Sequence, residues 1–144
     1  MLYVATALAR PDDRDLLRRI EAHREGRHPG WDLLELAGGS LAPVLEAADG
    51  RGAVLLDSLT LWVSARMLDG EDGGTMEEFE RFIKRAGALR EPVILVSDEV
   101  GLGVVPESAA SRRFRDLLGL INQRAAAAAE EVYLCVAGIA HRIK

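Results

Sequence analysis

Short apolar runs alternate along this chain with longer stretches in which apolar residues return every three or four positions. Four runs, residues 2–6, 53–57, 92–97 and 131–138, read as buried β-strands. Between them lie helical patterns. Residues 12–24 place Leu16, Leu17 and Ile20 on one face, after the start signal Pro11-Asp12-Asp13. Residues 59–68 are apolar and helical after a sharp turn. Residues 75–89 open on a Thr75 cap with Glu77 and Glu78 in the first turn, then show Phe79, Phe82 and Ile83 at helical spacing. Residues 108–130 form a long helix with Phe114, Leu117, Leu118 and Ile121 as its apolar stripe. A weaker strand, 32–36, follows the Gly30-Trp31 turn, and 40–48 is a further helical segment. This alternation predicts an α/β fold, a mostly parallel sheet with helices on both faces. Ligands of such sheets bind beyond the carboxyl ends of the strands, which singles out the loops after Thr6, Asp57 and Ser97.

Length and composition narrow the function classes. The 144 residues suit one domain, 1–144, with a single core. A net charge of -5 excludes a broad nucleic-acid or anionic-membrane surface, although local arginine pairs can still meet a nucleotide. The single cysteine, Cys135, lies in the apolar run Val132-Tyr133-Leu134-Cys135-Val136-Ala137 and is expected to be a reduced core residue. No disulfide framework, signal peptide or membrane-length apolar span is present, so the expected location is the cytoplasm.

The chemistry concentrates in Arg19-Ile20-Glu21-Ala22-His23-Arg24-Glu25-Gly26-Arg27-His28-Pro29-Gly30-Trp31. A neutral imidazole is a competent nucleophile toward phosphorus, and His23 sits where a helix runs out. Arg24 and Arg27 are placed to screen an anionic substrate. Gly26 is expected to let the backbone turn close to a ligand. The plainer reading of His23 is a solvated histidine at a helix C-terminus, where the macrodipole favours it. Asp57 closes an apolar strand, a place for either a magnesium-coordinating carboxylate or the cap of the following helix. Glu35 alone reads as a surface group. The loop Ser97-Asp98-Glu99-Val100-Gly101-Leu102-Gly103 is a second strand-end loop, and a lone Gly-x-Gly is weak evidence. Glu77, Glu78, Glu80, Arg81, Lys84 and Arg85 read as a solvated helix face, and His141 as a surface residue. Asn122 and Arg124 are candidates to face a neighbour or ligand.

Several segments taken together carry a family resemblance. They are His23-Arg24-Glu25-Gly26-Arg27, the stretch from Trp31 to Glu35, Leu55-Leu56-Asp57-Ser58-Leu59-Thr60-Leu61-Trp62, Val96-Ser97-Asp98-Glu99-Val100-Gly101-Leu102-Gly103-Val104-Val105-Pro106-Glu107 and Leu120-Ile121-Asn122-Gln123-Arg124. In order and over essentially the whole chain, they resemble the bifunctional adenosylcobinamide kinase / adenosylcobinamide-phosphate guanylyltransferase family of cobalamin biosynthesis. The resemblance implies a P-loop-type α/β fold and assembly as a homo-oligomer, often a trimer. It implies phosphorylation of adenosylcobinamide by GTP, with ATP as the alternative donor, and Mg²⁺ as cofactor. It then implies transfer of GMP from GTP through a guanylyl-histidine to adenosylcobinamide phosphate. By motif position that histidine is His23. Arg24, Glu25, Gly26, Arg27, Glu35 and Asp57 would line the nucleotide with Thr6 near the same mouth, and Asp57 would meet the metal.

Two departures accompany the resemblance. Asp98 stands where members usually have Asn, which adds charge beside a nucleotide. Members also open with a strand, a Gly-x-x-x-x-Gly-Lys-Ser/Thr loop and a helix that cradle the triphosphate. The lysines of this chain are Lys84 and Lys144, neither in a glycine loop. Two explanations stand: a valine codon at Met1 read as an initiator, or a truncated paralogue folded through oligomer contacts. A protein of these residues alone is expected to bind triphosphate poorly, to lack kinase activity and to show one sheet face and an unpaired edge. The rival reading is an inactive nucleotide- or corrinoid-binding module or fragment.

Overall fold

The computed structural model describes residues 1–70 and 72–144. Four strands, β1 (Leu2–Ala5), β2 (Asp32–Glu35), β3 (Val54–Asp57) and β4 (Val93–Val96), form a parallel sheet in the order β2-β1-β3-β4. The helices are α1 (Arg14–Glu25), α2 (Ala42–Ala47), α3 (Leu59–Leu68), α4 (Asp72–Ala86) and α5 (Ala109–Ala128). A separate antiparallel pair, β5 (Tyr133–Val136) and β6 (Ile139–Arg142), closes the chain. This is the α/β class expected for a P-loop-type fold. Among the described residues no helix is long and apolar enough to cross a membrane.

Alternation along the strands divides the sheet into two faces. Leu2, Val4, Val54 and Leu56 are buried on the face that joins the core, with Leu41, Val44, Leu59, Trp62, Val63, Phe79, Phe82, Leu118 and Ile121 from the surrounding helices and loops. Each such side chain stabilises the fold by roughly 1.5–3 kcal/mol through burial. The opposite face carries Leu33, Tyr3, Leu55 and Ile94 in one row, and Glu35, Ala5, Asp57 and Val96 in the row nearer the carboxyl ends. Ile94 and Val96 are exposed there, and β2 and β4 are the edge strands of this sheet.

Capping accounts for most helix starts. Asp13 accepts from Leu16 N, Ser58 from Leu61 N and Ser108 from Ser111 N, each satisfying a first-turn donor. The expected Thr75 cap is corrected: α4 starts at Asp72, and Thr75 is a buried residue inside the helix. After β2 the chain turns through Gly38 at φ +76°, where an added Cβ would lie 2.4 Å from Ala65 Cβ. Only glycine fits that close passage against α3.

Two further expectations are corrected. Residues 131–138 are not one buried strand. Ala137 and Gly138 both take positive φ (51° and 77°), so the run folds over into the β5–β6 hairpin. An alanine in the first left-handed position concealed the turn. The hairpin strands are exposed, and Cys135 is exposed rather than in the core. His141 is exposed on β6, as expected.

The solvated-face expectation is corrected at Glu78, whose side chain is only 13% exposed. It pairs with Arg66 at 3.1 Å and accepts from Leu41 N at 2.8 Å. One carboxylate thereby ties α3, α4 and the start of α2 together. Glu78→Ala leaves the Arg66 charge without this partner and should cost about 3 kcal/mol. Glu77→Ala, an exposed neighbour, should stay within about 0.5 kcal/mol. Urea midpoints of the two variants, at unchanged slope, check the contrast.

Candidate active site

The end of α1 is fastened to the end of β2. Arg24 donates from Nη2 to Glu35 Oε1 at 2.7 Å, and its Nη1 lies 3.7 Å from Glu21. The hydrogen bond and charge of Glu35 raise the Arg24 pKa further. Glu35 is therefore a positioning partner as well as a surface group. His23, one residue earlier, is exposed in the last turn of α1 and makes no hydrogen bond or ion pair among the described residues. Glu25 ends the helix, exposed and also without a partner among them. Gly26 caps it by donating to Ala22 O at 3.0 Å, with φ −79°. That conformation is open to any residue, so left-handed freedom is not the reason for a glycine; a Cβ there would lie a tight 3.3 Å from Ala22 O.

A second cluster runs across the sheet from Trp31, just before β2, over Tyr3 of β1 to Asp57 at the carboxyl end of β3. The Arg27 guanidinium lies over the Tyr3 ring, 4.3 Å from its centroid, a cation–π arrangement. The Tyr3 hydroxyl donates to Asp57 Oδ2 at 2.5 Å, a charge-assisted bond. Trp31 stacks beside Tyr3 with ring centroids 6.3 Å apart. Thr6 Oγ1 donates to Ser58 O at 2.7 Å and accepts from Ser58 N at 2.8 Å, while Thr6 N donates to Asp57 O. The Asp57–Ser58 peptide is cis. Of the two readings of Asp57, the helix cap falls to Ser58, and the Asp57 carboxylate is left for the site.

Thr6, Arg27 and Asp57 are thus brought together, and Arg24 of α1 pairs with Glu35 at the end of β2. Sequence reasoning missed Tyr3. Its one signal was a phenol amid aliphatic residues, in a strand whose neighbour ends in Asp57. Burial and the Asp57 carboxylate push the Tyr3 hydroxyl up to about 12. The folded state thus holds this proton more tightly than the unfolded chain, whose tyrosine titrates near 10. The associated stability is complete below pH 10 and is lost as pH rises toward 12. Tyrosinate absorbance should show a late step that Tyr3→Phe removes and Asp57→Asn shifts downward.

The loop after β4 is held from both sides. Asp98 N donates to Thr60 Oγ1 at 2.8 Å, Asn122 Nδ2 donates to Asp98 O at 3.1 Å, and Ser97 Oγ donates to Asn122 Oδ1 at 2.6 Å. Asn122 therefore braces this loop, whereas Arg124 pairs with Glu80. Glu99 is exposed and accepts from Gly101 N within its own turn. Among the described residues no three His, Cys, Asp or Glu side chains gather as a metal site. Magnesium needs less, because one carboxylate with substrate phosphates and waters suffices. Asp57 fits that pattern: Tyr3 occupies Oδ2, and Oδ1 has no protein partner among the described residues.

Comparison with known proteins decides the family. Residues 1–143 match the model described as cobinamide kinase / cobinamide phosphate guanyltransferase. The chain belongs to this family. The bifunctional adenosylcobalamin biosynthesis protein CobU of Salmonella typhimurium is 36% identical over all of this chain and 86% of its own length. Its Escherichia coli counterpart is 37% identical with the same coverage. The Pseudomonas aeruginosa protein of that description, CobP, is 37% identical over 99% of this chain and 81% of its own length.

Proposed function

We propose that this chain transfers GMP from GTP to adenosylcobinamide phosphate, with His23 as the covalent carrier. A lone pair on the His23 imidazole attacks the α-phosphorus, the N–P bond forms, and the bond to the β-phosphate oxygen breaks. Pyrophosphate leaves with that electron pair. A phosphate oxygen of adenosylcobinamide phosphate then attacks the same phosphorus, the P–N bond breaks, and His23 is regenerated. The observation that carries this reading is the Arg24–Glu35 pair, which fixes the end of α1 while leaving His23 exposed and unengaged.

Arg27 supplies positive charge for the phosphates, and Asp57 would hold Mg²⁺ through its free oxygen; bound there, the ion would neutralise charge on the phosphate oxygens. Glu25, Gly26 and Glu35 complete the proposed nucleotide surface; Thr6, expected at the same mouth, is corrected to a buried brace whose hydroxyl is taken up by the Ser58 backbone. Phosphorylation of adenosylcobinamide, from GTP or alternatively ATP, belongs to the same family reading. Lys84 lies exposed on α4 and Lys144 donates to carbonyls at the end of α5, so neither is assigned a phosphate. We also assign the protein to the cytoplasm as a homo-oligomer, in keeping with its relatives' biosynthetic role. Intact mass after incubation with GTP and Mg²⁺ tests the central step: an acid-labile GMP adduct is expected. Tight GTP binding with no adduct would leave a binding module instead.

A further inference from the structure

We propose that Tyr3 is a positioning residue that keeps the Arg27 cation and the Asp57 carboxylate apart, seating one on its ring and holding the other by its hydroxyl. This deepens the guanylyl-transfer reading and rests on it for the identity of the ligand. Arg27 is a cation without a carboxylate: no ion pair joins it to any described residue, and its buried Nε has no hydrogen-bond partner. Opposite charges gathered about one side chain ordinarily pair, and a paired Arg27 would be neutralised toward phosphate. The phenol between them prevents this. Its ring face attracts the guanidinium without consuming its donors in salt bridges. Its hydroxyl binds Asp57 Oδ2 and turns the other oxygen into the available metal ligand. Trp31 stacks beside the ring, and the buried strand holds it from below, so the side chain cannot swing away.

The two halves of the role come apart under substitution. Tyr3→Phe keeps the ring seat and removes the hydroxyl. Tyr3→Leu removes both and lets Arg27 fall onto Asp57. The experiment measures GTP affinity with Mg²⁺ and with EDTA, alongside the NMR shifts of the Arg27 side-chain protons in nucleotide-free protein. For Tyr3→Phe, affinity in EDTA should match the parent, while the Mg²⁺ concentration needed for half-maximal binding rises about tenfold or more, as for other partners of metal ligands. For Tyr3→Leu, affinity should fall in EDTA as well, and the ring-current shift on Arg27 should vanish. Adding Asp57→Asn to Tyr3→Leu should restore part of the EDTA affinity, because Arg27 loses its captor. A packing role alone predicts no such rescue.

Equal behaviour of Tyr3→Phe and Tyr3→Leu in both assays overturns the proposal. So does an unshifted Arg27 signal in the parent. Absence of GTP binding in the parent, with the Arg27 shift present and removed only by Tyr3→Leu, overturns the nucleotide reading and upholds the seat.

Discussion

His23→Ala incubated with GTP and Mg²⁺ should gain no GMP, and its turnover to the guanylylated corrinoid should fall by more than about 10³-fold. Losses of that size follow removal of a covalent nucleophile, because no other group can enter the same bond-forming position. Stability should hold, since His23 is exposed and touches no partner among the described residues. Arg24→Ala makes the instructive contrast. An exposed ion pair such as Arg24–Glu35 contributes little to folding. Its loss should nevertheless slow adduct formation, because the end of α1 is then free to move relative to β2 and a small misplacement of a nucleophile is costly. An adduct that persists on His23→Ala would move the carrier elsewhere and remove the basis of the mechanism.

Much of the fold was legible because local pattern and tertiary packing agree. Residues 59–68 show this: apolar on most sides, preceded by a serine, they form a helix buried at Leu59, Trp62, Val63 and Ala65. Reading failed where a residue's surroundings come from distant segments. Glu78 looked solvated beside Glu77 and Glu80, but Arg66 and the Leu41 amide lie across the fold from it, and no window along α4 reveals them. Tyr3 failed in the same way, its partners being 24 and 54 residues away in sequence. At residues 131–138 the pattern of a buried strand was present and the burial was not, since hydrophobicity records what a segment suits rather than what covers it. The residues nominated for the site follow from the family motifs alone. Their arrangement as two clusters, Arg24–Glu35 and Arg27–Tyr3–Asp57, was not.

Trp62→Ala should be among the most destabilising single substitutions, at about 3–5 kcal/mol. The indole is fully buried, its Nε1 donates to Gly39 O at 3.0 Å, and its ring lies 6.3 Å from Phe79, which in turn meets Phe82. It therefore does three things: it fills the centre of the helix-side core, joins α3 to α4, and satisfies a carbonyl in the turn that follows β2. Trp62→Phe separates the first two from the third. The smaller ring retains most of the packing but leaves the Gly39 carbonyl without its donor, a loss of about 1–3 kcal/mol. Because that turn leads out of the strand ending in Glu35, Trp62→Phe should also weaken the hold of Arg24 on β2 and slow GMP transfer before it unfolds the protein. Equilibrium urea unfolding ranks the variants, and adduct formation well below the unfolding midpoint reads the coupling. A Trp62→Ala protein within about 1 kcal/mol of the parent would mean that the centre of the core lies elsewhere, and with it the support for the turn at Gly39.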